Sequence, residues 1–226
     1  MYNIVTGLRR SGTSMIMLAL KEMGMPIIGT KFDNAQSRKL QEEGNPNGYW
    51  EVDGVTDKDG LLTKHVNIGK RGDVIKVMSE VLFKSDPTLI SKVLVVLRRP
   101  RNILSSWLKH NETHVDLFLA QCVSDLVDTF GFLLKHKKEF EIVLYENILK
   151  NPKREIKKIS EYFCIKDYKK GASVIDKKLN RSEAYNKKSQ WIDFLEDIYT
   201  KSMNNEIMEI LKLEEKLKTM SEELVI

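Results

Sequence analysis

The sequence predicts an α/β fold, in which helices cover both faces of a doubly wound, mainly parallel β-sheet and extra helices follow at the C-terminus. Four β-branched runs are the first observation, and continuous apolar runs of this kind are typical of strands that are buried on both faces. Helical stretches separate the runs, and an alternating order of strands and helices indicates a doubly wound sheet. The predicted strands are residues 2–6, 73–78, 92–97 and 141–145.

The first strand leads into a glycine loop and a buried helix. The strand ends at Gly7, and residues 14–23 (SMIMLALKEM) are apolar on nearly every side until Gly24 and Pro26. Glycine and proline at this point end a helix. Residues 29–72 are rich in Gly, Asn, Asp and Lys and show little periodicity, so we predict a long loop with short helical turns. Loops of this length are usually functional.

Helices dominate the second half of the chain. Apolar residues recur three and four positions apart over residues 114–136, which predicts a long helix. Asn151 suits the cap and Pro152 the first position of another helix. Residues 190–226 keep a helical period that is interrupted by two adjacent asparagines, and this pattern predicts two C-terminal helices.

Length and composition indicate an ordinary globular protein. We predict one domain over residues 1–226, with an α/β core in residues 1–188 and the C-terminal helices in 189–226. Hydrophobic residues make up 42% and charged residues 31%, which disfavours disordered and fibrous classes. Two cysteines fit a reducing compartment. The sequence shows neither a signal-peptide pattern nor an apolar run near the length of a membrane span, and we therefore expect a cytoplasmic protein that does not bind a membrane.

The net charge of +5 is unevenly distributed along the chain. Residues 189–226 carry four Lys/Arg and nine Asp/Glu, whereas residues 1–188 carry 33 and 23. The basic part includes the glycine loop, and this balance favours an anionic ligand. The lysine-rich stretch LLKHKKEF (133–140) is typical of a solvated helix face, so we expect no nucleic-acid partner.

The glycine loop GLRRSGTS (7–14) has the spacing of a phosphate-binding P-loop, G-x-x-x-x-G-K-[ST], with threonine at the lysine position. Backbone N–H groups at a helix N-terminus bind anions without a metal. The side chains that add donors to this P-loop-like unit are Arg9, Arg10, Ser11, Thr13 and Ser14.

A magnesium site is not expected at this loop. A P-loop enzyme usually takes its second Mg²⁺ ligand from an acidic residue at the end of a neighbouring strand. Arg98 stands at that position after residues 92–97, and Glu146 after 141–145 is the weaker remaining candidate. We therefore predict metal-free anion binding.

Together with a second stretch, VLVVLRRPRNILSSW (93–107), the loop resembles the sulfotransferases that use 3′-phosphoadenylyl sulfate (PAPS). In that family a loop of the form [KR]-S-G-T-[ST] holds the 5′-phosphosulfate, and a strand-end Arg with a Ser eight residues later holds the 3′-phosphate. The resemblance implies that Arg98 and Ser106 hold the 3′-phosphate here. It implies that the 5′-phosphosulfate is held by Arg10, Ser11, Gly12, Thr13 and Ser14.

Three further segments are similar to the family in the same order. They are NPNGYWE (45–51), VLYENILKNPKREIKKISEYFCI (143–165) and VIDKKLNRS (174–182). The last is similar to the late basic loop, which adds Arg181 to the expected nucleotide site. Arg9 replaces a proline that is common in the family, and we assign its guanidinium to the same site.

The resemblance also implies catalytic roles. Sulfuryl transfer needs in-line positioning and stabilisation of charge on the leaving oxygen. Arg10 would stabilise that charge, and Lys76 either assists or extends its ammonium group into solvent. Met78 stands at the position of the usual catalytic histidine. We expect Glu51 to be the general base, with His65 as the alternative.

The acceptor is expected to be a small molecule or a saccharide that carries a hydroxyl or an amine, and the sequence leaves its identity and the oligomeric state open. Trp50 and Trp107 belong either to the core or to a ligand pocket. Two other functions remain open. One is a nucleotide or small-molecule kinase with a degenerate P-loop, and the other is a non-catalytic protein that binds PAPS or adenosine 3′,5′-bisphosphate.

Overall fold

The computed structural model describes residues 1–30, 48–56, 58–109, 111, 114–179 and 184–213. These residues form a parallel five-stranded sheet in the order β2-β3-β1-β4-β5. The strands are Tyr2–Thr6 (β1), Ile27–Ile28 (β2), Val74–Lys76 (β3), Ile90–Leu97 (β4) and Glu139–Leu144 (β5).

Helices connect the strands and extend beyond them. The α-helices of the described residues are Thr13–Glu22 (α1), Ser79–Leu82 (α2), Pro100–Leu108 (α3), Val115–Lys135 (α4), Tyr145–Lys150 (α5), Pro152–Tyr162 (α6), Lys169–Ser173 (α7), Gln190–Met203 (α8) and Ile207–Leu211 (α9). Short 3₁₀ helices lie at Thr63–His65, Pro87–Leu89 and Lys177–Leu179.

Helices cover both faces of the sheet, which confirms the doubly wound fold. Successive strand residues point to opposite faces. Ile4 and Val93 belong to a core cluster with residues of α4 and α8, whereas Val5 and Leu94 belong to a second cluster with residues of α1 and α6. The continuous apolar runs in the sequence therefore reflect strands that are buried on both sides.

Several local predictions are confirmed. The β1 strand, the glycine loop and α1 follow one another as expected, and α1 ends just before Gly24. The helix over residues 114–136 is α4. Asn151 caps α6, because its side chain accepts a hydrogen bond of 3.3 Å from the Arg154 N–H, and Pro152 is the first helical residue.

Other elements differ from the sequence analysis. The two-residue strand β2 and the five-residue helix α7 were not predicted, because elements of this length show no periodic pattern. The strand predicted over residues 73–78 is shorter, Val74–Lys76. The two predicted C-terminal helices correspond to α8 and α9, and residues 214–226 lie outside the described residues.

The helix α4 is long and apolar enough to cross a membrane by length and composition, with a mean hydropathy of 1.5, although we expected no such segment. Core helices pass the same test. About half of its most apolar window is buried in the protein, and residues such as Val123 and Phe130 pack in the same cluster as Trp191 of α8. The packing of α4 is that of a core helix.

Candidate functional site

All strands are parallel, so their carboxyl ends meet at one edge of the sheet, where ligands of doubly wound folds bind. The glycine loop follows β1 at this edge, and Lys76 ends β3 beside it. On the other side of β1, Arg98 follows β4. Tyr145 follows β5, which pairs with β4. The residues from these four strand ends form the candidate site.

The glycines of the loop are required by close backbone packing. A Cβ atom on Gly7 would lie 2.4 Å from the Val96 carbonyl oxygen. A Cβ atom on Gly12 would lie 2.5 Å from the Tyr145 ring, and Gly12 has a φ of 101°. Arg10 has a φ of 70°, which is unfavourable for a residue with a side chain. In this compact loop conformation a side chain at position 7 or 12 would clash with its neighbours.

Several hydrogen-bond donors of the loop have no partner within the helix or among the described residues. The first N–H groups of α1 have no partner inside the helix, as at every helix N-terminus. The Ser11 hydroxyl is fully buried and has no hydrogen-bond partner among the described residues. Thr13 is also buried in the first turn. These groups fit an anion such as a phosphate or a sulfate.

The two motifs that are far apart in the sequence meet at this loop. Arg10 Nε donates a hydrogen bond of 3.0 Å to Ser106 Oγ. Arg98 Nη1 donates one of 2.9 Å to the Arg10 carbonyl oxygen. The family resemblance places Arg10 and Ser106 at different ends of the nucleotide, and in the structure their side chains are directly hydrogen-bonded.

Tyr145 was missed as a site residue, although it is the last residue of the strand predicted over 141–145 and directly follows the observed strand β5. Its ring lies against Gly12, and the Arg98 guanidinium packs over the ring at 4.4 Å from the centroid. Burial lowers the pKa of Arg98, and burial raises the pKa of Tyr145 while the Arg98 charge opposes that shift. Tyr145 thus supports both the loop and Arg98.

Lys76 is buried beside the glycine loop, at the end of β3. Its ammonium group donates to the Tyr49 carbonyl oxygen, to Glu51 Oε1 at 2.8 Å and to Ser14 Oγ at 3.4 Å. Lys76 is only 1% exposed, so the alternative in which its ammonium group extends into solvent is wrong. The structure brings together three of the predicted residues, namely Lys76, Glu51 and Ser14.

The segment that contains Glu51 is hydrogen-bonded to the residues that follow β2. The Thr30 N–H donates a hydrogen bond of 3.1 Å to the Glu51 carbonyl oxygen. Trp50 is 6% exposed, and Lys21 lies 4.5 Å from its ring centroid. The Glu51 side chain is 19% exposed. Glu51 is therefore positioned by its backbone and is accessible to a small ligand.

His65, the alternative base, lies in a different environment. Its Nδ1 accepts a hydrogen bond of 3.1 Å from the Leu62 N–H, and burial lowers its pKa. Its carbonyl oxygen accepts a hydrogen bond from Tyr2, at the amino end of β1. The loop follows the opposite end of this strand, so the geometry favours Glu51 over His65.

Two further predicted residues have other surroundings, and a third lies outside the described residues. Arg9 forms an ion pair with Glu80, so its assignment to the nucleotide stays a prediction that the geometry does not favour. Trp107 stacks on Phe118 with the ring centroids 4.7 Å apart, as a packing residue does. Arg181 lies outside the described residues.

Glu146, the remaining candidate for a magnesium ligand, is engaged elsewhere. Its Oε1 accepts hydrogen bonds from the Arg99 N–H at 3.0 Å and from Asn102 Nδ2 at 3.4 Å. Its Oε2 accepts one from the Tyr199 hydroxyl at 3.0 Å. Glu146 thereby joins α3 to α8. Among the residues that the structure describes, no three His, Cys, Asp or Glu side chains are grouped to hold a metal ion.

Comparison with known proteins gives structural matches only. No protein-family model and no curated protein matches the sequence. The sulfotransferase domain of the Synechococcus PCC 7002 olefin synthase matches with a TM-score of 0.52 and 11% identity, over 88% of this chain and 94% of that chain. A sulfotransferase domain from the curacin biosynthetic pathway has a TM-score of 0.49 and 10% identity, over 88% and 96% of the two chains. A sugar kinase from Janibacter sp. HTCC2649 has a TM-score of 0.35 and 14% identity, over 77% and 98%. This chain therefore shares the α/β fold of the olefin-synthase sulfotransferase domain.

Proposed function

We propose that this protein is a sulfotransferase that moves a sulfuryl group from PAPS to a hydroxyl or an amine of a small-molecule or saccharide acceptor. One observation carries the proposal. The contacts of Arg10 with Ser106 and of Arg98 with Arg10 join two motifs that lie about 90 residues apart in the sequence. The fold shared with a sulfotransferase domain is consistent with it.

The residues present fit a ligand with two anionic ends. The glycine loop, with the buried Ser11 hydroxyl, suits the 5′-phosphosulfate. Arg98 and Ser106 suit the 3′-phosphate, and Arg10 lies between the two groups. A guanidinium has five N–H donors, so Arg10 can bond Ser106 and an anion at the same time.

PAPS supplies a sulfuryl group that is already activated by its anhydride bond to phosphate. In the proposed reaction the acceptor oxygen or nitrogen bonds to sulfur while the bond between sulfur and the phosphate oxygen breaks. Arg10 and Lys76 would neutralise the charge on the departing phosphate. Glu51, which is 2.8 Å from Lys76, would take the acceptor's proton.

Of the two alternatives, the kinase fits the site less well, and the non-catalytic binding protein is distinguished only by a functional test. A kinase that uses Mg-ATP would need an acidic metal ligand, and both oxygens of Glu146 already accept hydrogen bonds from α3 and α8. The geometry therefore does not favour a kinase. A protein that binds the nucleotide without transfer would have the same pocket, so only a transfer assay separates it from the enzyme.

Calorimetric titration with EDTA present tests the nucleotide assignment. We expect adenosine 3′,5′-bisphosphate to bind far more tightly than AMP, because one buried charge-assisted contact contributes roughly 1.5 to 3 kcal/mol. Arg98→Gln should abolish most of this preference. Arg101→Gln, three residues further on in α3 and hydrogen-bonded to the Tyr185 carbonyl oxygen, is the matched control and should keep it.

Transfer of ³⁵S from labelled PAPS into a metabolite extract then tests the reaction. Label in an extract compound supports the enzyme and identifies its acceptor. Binding without transfer supports the non-catalytic alternative. Equal affinity of the wild type for the two nucleotides, or stabilisation by Mg-ATP alone, would overturn the proposal.

A further inference from the structure

Arg9 forms an ion pair with Glu80 at the start of α2. Its Nε donates hydrogen bonds of 2.9 and 3.0 Å to the two carboxylate oxygens of Glu80. Its Nη2 lies 2.5 Å from Glu80 Oε1, and the two side chains are 36% and 26% exposed. A guanidinium that contacts a carboxylate through two nitrogens fixes orientation as well as distance. The pair therefore restrains the loop residue in position and in direction.

The backbone next to Glu80 is held in place by two hydrogen bonds of Ser79. The Ser79 N–H donates a hydrogen bond of 3.2 Å to the Gly7 carbonyl oxygen. The Ser79 carbonyl oxygen accepts one of 3.3 Å from Thr129 Oγ1 on α4. The start of α2 is thus bonded to the loop on one side and to a core helix on the other.

The residue next to Arg9 has the conformation that needs support. Arg10 has a left-handed backbone with a φ of 70°, which is uncommon for a residue other than glycine. Such a conformation persists only where its surroundings enforce it. Arg98 holds the Arg10 carbonyl oxygen, and Ser106 holds its side chain. The Arg9–Glu80 pair restrains the chain immediately before it.

We propose that Glu80 is a positioning residue, which acts through Arg9 to hold the loop in the conformation that binds the anion. Arg9 then supports the loop and does not contact the ligand. The identity of the anion rests on the proposed function, whereas the conformational role of Glu80 does not.

Hydrogen exchange over residues 7–14, measured by mass spectrometry without ligand, tests the conformational role. We expect Glu80→Gln and Arg9→Met each to speed exchange in this peptide by about tenfold, as for the loss of one charge-assisted contact. The charge-swapped double variant Arg9→Glu with Glu80→Arg should restore slow exchange. Glu139→Gln, which breaks the 3.1 Å pair with Lys92 at the other end of β4, is the matched control and should leave the loop unchanged.

Calorimetric titration of the same variants with adenosine 3′,5′-bisphosphate gives the second readout. We expect about tenfold weaker binding for Glu80→Gln and recovery in the charge-swapped variant. The positioning role would be overturned if hydrogen exchange of the loop were unchanged in Glu80→Gln. It would also be overturned if Glu80→Gln bound adenosine 3′,5′-bisphosphate more tightly, because Arg9 would then contact the nucleotide once its ion pair is lost. Faster exchange in Glu80→Gln with no nucleotide binding by the wild type would refute the proposed function and leave the positioning role standing.

Discussion

At the scale of single residues, Lys76 and Glu51 form one unit. A lysine ammonium has three N–H donors, and three acceptors surround Lys76: the Tyr49 carbonyl oxygen, Glu51 and Ser14. Both members of a buried ion pair depend on each other, because the removal of one leaves the other charged and uncompensated. The Ser14 contact is the longest of the three, so it is the one that an anion at the loop would most readily replace.

Substitution of Glu51 tests whether it is the general base. Glu51→Gln should lower kcat by roughly 10² to 10⁴, the usual contribution of a positioned base, and should not weaken nucleotide binding, because it leaves the Lys76 charge uncompensated. Steady-state kinetics with the identified acceptor measure turnover, calorimetric titration measures nucleotide affinity, and a melting curve shows whether the variant is folded. His65→Ala is the comparison. A large loss of turnover in His65→Ala, with near-normal turnover in a folded Glu51→Gln variant, would transfer the role to His65.

Because Lys76 is a neighbour, the same kinetics should include Lys76→Met and the double variant. If Glu51 acts as a base, its substitution should still lower kcat in the Lys76→Met background. If it acts only by holding Lys76, the second substitution should add nothing.

At the scale of elements, the unit of strand, loop and helix depends on contact with the next parts of the sheet. Gly12 packs on Tyr145 from the end of β5, and Gly7 packs on Val96 of β4. The loop conformation is therefore stabilised by tertiary packing, which an isolated loop sequence would lack.

Two glycine substitutions separate the cost of backbone strain from the cost of a clash with Tyr145, both measured as a loss of unfolding free energy. Gly12 and Gly24 have similar φ values of 101° and 89°, but a Cβ atom meets the Tyr145 ring only at Gly12, and at Gly24 it meets nothing within 4 Å. Gly24→Ala should cost roughly 1 to 2 kcal/mol of unfolding free energy through backbone strain alone. Gly12→Ala should cost clearly more in urea denaturation. Equal losses would mean that contact with Tyr145 does not constrain the loop.

The helix α4 carries a buried carboxyl group that makes stability depend on pH. Burial raises the pKa of Asp125 to about 7, Glu80 adds to this shift, and a hydrogen bond from Gln121 opposes it. An unfolded aspartate has a pKa of about 3.9. Between these values the folded chain binds more protons, so its unfolding free energy should fall as pH rises from about 4 to about 7.

Asp125→Asn should remove this decline, because the amide is neutral and still accepts from Gln121. Relative to the wild type, it should gain more unfolding free energy at pH 8 than at pH 5, by about 1.4 kcal/mol for each pH unit between pH 5 and the folded pKa of about 7. Urea denaturation at the two pH values measures the gain. Asp197→Asn, at a side chain that is 44% exposed on α8, is the control and should show no such gain. A pH-independent effect of Asp125→Asn would contradict the argument.

At the scale of the whole molecule, the C-terminal helices share a core with the sheet. Trp191 and Ile198 of α8 belong to the same buried cluster as Ile4 of β1 and Phe130 of α4. The opposite charges of the two parts, which the sequence analysis found, therefore do not correspond to separate cores.

A chain that ends at residue 188 tests whether the sheet can fold without the C-terminal helices. Without α8 and α9, the face of α4 around Phe130 would be exposed, and we expect the chain to lose its near-ultraviolet circular dichroism and its cooperative unfolding. The full chain should unfold in one transition. A truncated chain that unfolds cooperatively would instead show that residues 1–188 are an independent domain.

The sequence predicted the sheet better than the contacts of the site. Four strands were predictable because burial on both faces produces continuous β-branched runs, and β2 was not because two residues form no pattern. The hydrogen bond between Arg10 and Ser106 joins residues 96 positions apart in the sequence. The ion pair between Arg9 and Glu80 joins residues 71 positions apart. Such pairings depend on how helices pack, so local sequence patterns do not specify them.

The three tryptophans are distributed so that their fluorescence reports on different events. Trp50 is covered by Lys21 and lies between Tyr49, which binds Lys76 through its carbonyl oxygen, and Glu51. Trp191 is fully buried in the core, and Trp107 is stacked on Phe118. A ligand that rearranges the Lys76 contacts would change the emission of Trp50, whereas Trp191 keeps its environment in the core. The protein therefore contains its own optical probe of site occupancy, and a chain with phenylalanine at positions 107 and 191 would isolate that signal.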